Sequence, residues 1–109
     1  MSLPVTTVLP MEYLYDQSGN AVGFIQGRYV HDMRGRAIGQ LNGTHVHRLR
    51  GDYVGELSDQ MVVDMHLGNF GNIGNPGNPG NPGSPGNPGN RGNRGFTGNP
   101  DVFHKLIGD

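Results

Sequence analysis

The residue type with the clearest capacity for chemistry in this sequence is histidine. His45 and His47 lie two positions apart, so on a β-strand both side chains would point to the same face. A His-x-His pair on a strand binds zinc when a third ligand lies nearby. His31 occupies the position equivalent to His47 sixteen residues earlier, whereas the equivalent positions in the flanking segments are Tyr15 and Val63. A symmetric metal site would need ligands there, so we predict no metal and interpret the histidines as aromatic spacers.

Three aspartates recur at the start of predicted turns. Asp16, Asp32 and Asp64 each open such a turn, where a carboxylate accepts backbone N–H bonds from residues two positions on. We therefore interpret them as turn caps and not as paired catalytic carboxylates. The sequence contains no nucleophile with an adjacent base, no phosphate-binding loop and no dinucleotide fingerprint. We predict no enzymatic activity, no catalytic residue and no cofactor.

Composition narrows the classes of partner. The chain has a net charge of −1 and no cysteine, so neither nucleic acid, nor an anionic membrane, nor a disulfide framework is expected. No segment approaches the roughly 20 apolar residues of a membrane-spanning helix. Residues 1–10 lack the basic and apolar regions of a standard signal peptide, which leaves a cytoplasmic location open. At this size, association is an expected source of stability.

The elements that position these residues come from a sixteen-residue repeat. Each copy reads as two short strands joined by a glycine-containing turn and followed by a second tight turn. Four hairpins predict an all-β head of closed or radial form at residues 11–73, preceded by an extended arm at residues 1–10. The four copies are residues 13–28, 29–44, 45–60 and 61–76.

The repeat positions divide into a turn, a core and a bend. Positions ten and thirteen cannot share one face of an ideal strand, so the glycine at position eleven predicts a bulge or bend that turns both inward. Arg48 replaces the turn aspartate in copy three, and Leu67 replaces the turn glycine in copy four. The turn residues are Asp16, Asp32, Asp64, Gly19, Gly35 and Gly51, and the bend glycines are Gly23, Gly39, Gly55 and Gly71. The predicted core consists of Leu14, Val22, Ile25, Val30, Ile38, Leu41, Val46, Val54, Leu57, Val62, Phe70 and Ile73.

A strict three-residue repeat begins at Gly68. Residues 68–100 form eleven triplets with glycine in every first place, which is the period of a polyproline II helix. All the glycines then lie on one edge, where only backbone can approach. At about 3 Å per residue the segment would extend roughly 100 Å. A triple helix, a helix packed against other extended helices and a solvated linker are the alternatives, and the unbroken period favours the ordered helices.

The C-terminal residues 101–109 are predicted to form a short docking stub. Asp101 is suited to cap a helix whose apolar face is too short to be stable alone, so we expect it to dock on the head of another subunit. The residues predicted to mediate oligomerisation are the triplet glycines and the apolar residues of the stub, namely Gly74, Gly77, Gly80, Gly83, Gly86, Gly89, Gly92, Gly95, Gly98, Phe103, Leu106 and Ile107.

Two parts of the chain resemble known families. The four units of the type Tyr-x-Tyr-Asp-x-x-Gly-x-x-x-Gly at residues 13–73 resemble the four-fold β-flower domains, and residues 13–20 are also similar to the YD repeats of large bacterial surface shells. The Gly-X-Y triplets resemble the collagen-like segments of bacteria and phages, which implies a parallel homotrimer.

We therefore expect a structural protein of a bacterial or phage surface. It would form a homotrimer or filament through an extended collagen-like stalk and its apolar termini, with an extracellular, cell-surface or virion location. The alternative is a head that binds a small ligand, a lipid or a carbohydrate such as a surface glycan, in a central or axial cavity, with the glycine-rich tail as a spacer.

Overall fold

A computed structural model describes residues 11–93 and 99–107 of the chain. The predictions for the arm at residues 1–10, for Gly95 and for Gly98 lie outside the described residues. Within them, no helix is both long enough and apolar enough to cross a membrane.

Seven antiparallel strands form one sheet in the order of the sequence, which confirms the expected all-β class. The backbone N–H of Tyr15 donates to the carbonyl oxygen of Gln60 (2.8 Å), so the first strand meets the last and the sheet is nearly closed, like a small barrel. The strands are β1 Met11–Tyr15, β2 Ala21–Gln26, β3 Tyr29–Asp32, β4 Ala37–Asn42, β5 His45–Arg48, β6 Tyr53–Ser58 and β7 Met61–Val63, and one helical turn, α1 His104–Ile107, follows near the C-terminus.

A β-bulge recurs in every second strand. Val30 lies opposite Gly39 and His31 lies opposite Ala37, which leaves Ile38 between them without a partner. Equivalent shifts in register leave Val22 in β2 and Val54 in β6 without a partner. The extra residue changes the phase of the strand, so that repeat positions ten and thirteen both face inward. The interior contains Leu14, Ile25, Val30, Ile38, Val46, Val54 and Val62, with Val22, Leu41 and Leu57 packed against them.

The fourth repeat does not supply the eighth strand. Phe70 and Ile73, which were predicted in the core, are 42% and 37% exposed, and that prediction is wrong. The C-terminal end of the chain takes the place of the missing strand: Val63 pairs with Asp101, and the N–H of Val102 donates to the carbonyl oxygen of Val62 (2.9 Å). Residues 68–73 already follow the glycine triplet pattern, which lacks the two-residue alternation of a half-buried strand.

Residues 101–107, which we call the plug, fill the interior of the head. Val102, Phe103 and Leu106 are 4%, 2% and 8% exposed and belong to the same hydrophobic core as the strands. The expected docking on another subunit is corrected, because the receiving head is that of the same chain. Ile107 is 52% exposed and lies outside the core.

The neighbouring strand and the plug together explain the glycine at repeat position eleven, because the atoms nearest an added Cβ at Gly23, Gly39 and Gly55 are the carbonyl oxygens of His31, His47 and Val63. A Cβ atom would lie 2.7 Å from Phe103 Cζ at Gly23, 3.1 Å from Leu106 Cδ2 at Gly39 and 2.8 Å from Val102 Cγ2 at Gly55. One short segment can touch three alternate strands only on their concave side, so it occupies the place where a central ligand cavity was expected. At Gly71, in contrast, an added Cβ would meet nothing within 4 Å.

Residues 68–93, which we call the strap, run along the outside of the head. The molecule measures 50 × 35 × 27 Å, so an extended stalk of about 100 Å is not formed. The glycines of the strap have φ values between +80° and +95°, whereas a polyproline II helix requires φ near −75°. Glycine is therefore needed for its left-handed conformation, and the expected polyproline II or collagen-like helix is corrected for the described triplets.

Candidate functional site

An asparagine side chain shapes almost every triplet of the strap. The Oδ1 atom of Asn75 accepts a hydrogen bond from the N–H of Gly77 (2.7 Å), and Asn78 does the same for Gly80 (2.9 Å). The same Asx turn recurs along the strap at 2.6–2.9 Å, and Ser84 takes the role with a longer contact of 3.3 Å. Each Gly-Asn-Pro unit thus holds its own conformation through a side-chain bond and a glycine at positive φ.

The strap touches the head at regular intervals. Each contact involves one of the buried glycines in the long turns of the head, and successive contacts are nine strap residues and sixteen head residues apart. Three triplets therefore span one β repeat, in the reverse order of the sequence. The contacts join residues 72–74 to Gly51, residues 81–83 to Gly35 and residues 90–92 to Gly19.

Backbone hydrogen bonds secure the two outer contacts. The N–H of Ile73 donates to the carbonyl oxygen of Gly51 (3.0 Å), and the N–H of Arg91 donates to that of Gly19 (2.9 Å). The equivalent strap residue between them is Pro82, which has no N–H to donate. The middle of the strap is consequently held less tightly than its ends.

The predicted turn residues lie at the long turns. Gly19, Gly35 and Gly51 have φ values of +88°, +88° and +114°. The carboxylate of Asp32 accepts the N–H bonds of Arg34 (2.9 Å) and Arg36 (3.0 Å).

Asp16 and Asp64 occupy equivalent places. Asp16 accepts the N–H of Asn20 (2.9 Å), and Asp64 accepts the N–H of His66 (2.8 Å). In copy three the charges are exchanged, because Arg48 pairs with Asp52 across the turn.

The two buried histidines support these turns. His31 and His47 are 3% and 0% exposed. Their Nδ1 atoms lie 3.0 Å from the carbonyl oxygen of Gly35 and 2.8 Å from that of Gly51. A carbonyl oxygen only accepts, so Nδ1 carries the proton and donates. Among the described residues no group of three potential ligands could hold a metal ion.

A buried carboxylate accepts three hydrogen bonds on the outer face of the sheet. Glu56 is 4% exposed and accepts from Thr44 Oγ1 (3.0 Å), His45 Nδ1 (2.6 Å) and Tyr53 Oη (2.7 Å). Burial opposes ionisation, but the three donors outweigh it and lower the pKa of Glu56. Burial and the adjacent carboxylate raise the pKa of Tyr53. The cluster thus holds a stable anion that is a weak base, suited to positioning these side chains.

The position of this cluster makes it the anchor for the beginning of the strap. Phe70 stacks on His45 with ring centroids 3.9 Å apart and an angle of 19° between the planes. It also meets the ring of Tyr53 edge-on at 5.0 Å. Phe70 therefore belongs to the attachment of the strap and not to the core in which it was predicted.

Tyr13 holds the other half of the strap. Its hydroxyl lies 2.9 Å from the carbonyl oxygen of Pro85 and 3.1 Å from that of Gly86. Further along, the guanidinium of Arg91 lies over the ring of Tyr15, 4.8 Å from its centroid. Tyr13 and His45 occupy the first position of the repeat in copies one and three. In both copies the side chain at this position therefore contacts the strap.

Copy two is different, because the strap leaves openings there. Two adjoining cavities of about 340 and 540 Å³ share Arg28 and Tyr29 in their walls. The smaller is also lined by Gln40, Asn75 and Pro76, among others. A third cavity of about 390 Å³ lies next to residues 77–81 of the strap. Tyrosine or proline residues line each of these openings together with polar residues.

Several residues of this surface do not stand out in the repeat pattern. Phe24, Gln40 and Glu56 share repeat position twelve and are 2%, 5% and 4% exposed. Their position alternates with the inward-facing column, which predicts an outer face. There Gln40 bonds to Gly74 of the strap, Glu56 accepts from three head residues and Phe24 stacks on His31. Repeat position twelve changes from apolar Phe24 to polar Gln40 and Glu56, and this change could have indicated that the position makes different contacts in each copy. The strap glycines from Gly74 to Gly92 were predicted to mediate oligomerisation. A Cβ atom added at any of them would have no described atom within 4 Å.

The comparison with protein families supports the repeat-based resemblance. The model of the 4-fold beta flower protein family matches residues 12–104, a span that includes β1 without its first residue, the other six strands, the strap and the first residue of α1. No curated protein and no solved structure shows significant similarity to the chain. Because the family match covers most of the sequence, the chain belongs to the 4-fold β-flower family.

Proposed function

We propose that this chain is a non-catalytic structural protein that assembles with copies of itself through the outer face of the strap. The observation that carries the proposal is the composition and exposure of that face. Residues 68–90 contain no charged side chain. Of the described strap residues only Pro79 and Pro85 are partly buried, and all others are exposed.

The fixed geometry of the strap favours a second strap as the partner. The Asx turns and the head contacts hold the strap in one conformation, so little conformational entropy is lost when it packs. An added Cβ at the glycines from Gly68 to Gly92 would meet open space, so the backbone of another chain can approach closely. Residues 68–90 offer no ion pair to a charged partner, whereas the same residues of another copy present an equally thin and uncharged surface.

The setting we propose is the surface of a bacterium or a phage. The support is the resemblance of the Gly-X-Y triplets to collagen-like segments found on such surfaces. Assembly into a trimer or a filament remains the expected outcome, with the strap as the contact in place of a projecting stalk.

Charge introduced on the strap tests this proposal. Asp accepts the same turn hydrogen bond as Asn, so Asn78→Asp combined with Asn87→Asp keeps the triplet conformation and adds like charges to the contact. We expect sedimentation of the full chain to show self-association, and the double variant to weaken the dissociation constant by at least about tenfold at low salt.

The matched control is Asn42→Asp, which makes the same chemical change in an exposed turn of the head. It should leave the dissociation constant unchanged. The proposal is abandoned if the full chain stays monomeric up to about 1 mM, or if the control weakens association as much as the strap variants.

A further inference from the structure

Copy two of the head lacks the strap contact that the four-fold arrangement predicts for it. The hydroxyl of Tyr13 binds the strap at Pro85 and Gly86. Tyr29 occupies the same repeat position sixteen residues later. With nine strap residues for each repeat, its equivalent partners would be residues 76 and 77. Within the described part of the chain the hydroxyl of Tyr29 makes no such bond, and it lines the two openings instead.

The floor of the smaller opening carries a fixed but unused acceptor. The side-chain amide nitrogen of Gln40 donates to the carbonyl oxygens of Arg48 (3.2 Å), Leu49 (3.2 Å) and Gly74 (2.8 Å). These bonds fix the carboxamide, and its oxygen accepts none from the described residues. It is not sealed from solvent, because the sole buried side-chain atom without a partner in the described structure is Nε2 of His47.

The remaining walls combine one cation with ring faces. Arg28 is exposed and forms no ion pair with the described residues. Tyr29 and Ile73 line the smaller, mainly polar opening with it, and Tyr29, Pro79 and Pro82 line the larger, mainly apolar one. Together the two openings fall within the roughly 300–1,000 Å³ of small-molecule sites.

We infer that this pair of openings, the Tyr29 site, binds an acidic sugar of the uronic acid class. A pyranose ring has C–H faces that pack on an aromatic or proline ring, and hydroxyl groups that both donate and accept. The hydroxyl of Tyr29 donates to the sugar, and the oxygen of Gln40 accepts from it. The guanidinium of Arg28 pairs with the carboxylate, which is the anion whose geometry it matches best.

The inference is independent of self-association. The site lies between the head and the strap, whereas the proposed contact between copies uses the outer face of the strap. A chain that binds the sugar as a monomer supports this site and says nothing in favour of assembly, so the two proposals fail separately.

Three small probes test the site by NMR titration of the full chain. D-glucuronate should bind saturably with a dissociation constant on the order of 1 mM, with shifts concentrated at residues 28, 29, 40 and 73–82. D-glucose, which lacks the carboxylate, should bind at least about tenfold more weakly, and acetate, which lacks the ring, should give no saturable shift. Equal responses to all three probes, or none to glucuronate up to about 50 mM, would overturn the inference.

Variants separate the contributions of the charge and the ring. Arg28→Gln should weaken glucuronate about tenfold and leave glucose unchanged, whereas Arg34→Gln, an equally exposed arginine, should alter neither. Tyr29→Phe should weaken both sugars about threefold to tenfold. Tyr13→Phe, which removes the hydroxyl that holds the strap, should leave sugar binding nearly unchanged. Arg28→Gln lies on the surface and should keep the fold, so it decides the matter if Tyr29→Phe proves unstable.

Discussion

At the scale of single residues, position four and position eight of the repeat form an ion pair across the long turn in copies two and three. Asp32 pairs with Arg36 in copy two, with a nitrogen–oxygen distance of 3.8 Å. In copy three the two charges are reversed, since Arg48 pairs with Asp52. The replacement of the turn aspartate by Arg48 is therefore compensated within the same turn.

This exchange predicts a pH dependence of stability. The hydrogen bond from Arg50 and the pairing with Arg48 lower the pKa of Asp52 from 3.8 to about 2, against the opposing effect of burial. Between these two values the unfolded chain binds more protons than the folded chain, so stability rises with pH in this window. Because Asp52 is partly exposed, solvent screening reduces its contribution to the free energy of unfolding to about 1 kcal/mol.

We expect Asp52→Asn to remove this share of the rise in unfolding free energy between about pH 2 and pH 4. Urea denaturation across that range measures it. Glu12→Gln removes an exposed carboxylate of the head surface and serves as the control. An unchanged pH profile for Asp52→Asn would show that the ion pair across this turn does not stabilise the fold.

At the scale of elements, the strap is a chain of independent turns fastened at a few points. Its glycines are required for positive φ, and its asparagines are required as acceptors for the glycine N–H two positions on. A three-residue period in Gly-Asn-Pro therefore has a local cause, and contact between several chains is not needed to explain it.

Amide hydrogen exchange tests this local cause. Asn78→Ala removes the acceptor for the N–H of Gly80, a bond of 2.9 Å. We expect the exchange of the Gly80 amide to accelerate about five- to tenfold, since a hydrogen bond of this kind contributes roughly 1 kcal/mol. The Gly77 and Gly83 amides should be unaffected, because each has its own asparagine.

Asn78→Asp retains an acceptor at the same place and provides the control for this experiment, with little change expected at Gly80. If Asn78→Ala accelerated exchange along the whole strap, the triplets would form one cooperative helix, contrary to the independent turns described above.

At the scale of the whole molecule, the chain closes on itself. The strap leads around the outside of the head and returns the plug to its interior, where Val102 pairs beside β7 and Phe103 lies against Gly23. The two ends of the β-flower fold are thus joined by the C-terminal residues, and the core is completed within one chain.

Truncating the plug should affect stability strongly and independently of protein concentration. Phe103 is 2% exposed, so Phe103→Ala should cost about 3–5 kcal/mol of unfolding free energy. Ile107→Ala, four residues away and 52% exposed, should change it by no more than about 0.5 kcal/mol. Urea denaturation at several chain concentrations measures both effects.

A plug that docked on a neighbouring copy would make the unfolding midpoint rise with concentration. Because self-association through the strap would also raise the midpoint with concentration, both variants are made in the Asn78→Asp/Asn87→Asp background. There, an invariant midpoint with a large loss for Phe103→Ala is the result expected from docking within the chain. A loss for Ile107→Ala equal to that for Phe103→Ala would contradict the assignment of the buried face.

The strands and turns could be predicted from the residue pattern, because their causes are local. The sixteen-residue repeat, the turn glycines and the apolar columns depend on residues close together in the chain, and they lie in the structure as seven strands with recurrent bulges. The same reasoning placed Phe70 and Ile73 in the core, since they continue the columns of the repeat.

The tertiary structure alone decided what completes the core and where the triplets run. Val102 takes the place of the fourth repeat beside β7, and Gln40 bonds to a strap residue, Gly74, that lies 34 positions away in the sequence. The period of three is compatible with both a polyproline II helix and a series of Asx turns. Only the φ angles of the glycines distinguish the two, because local spacing fixes where glycine recurs but not which of its allowed conformations it adopts.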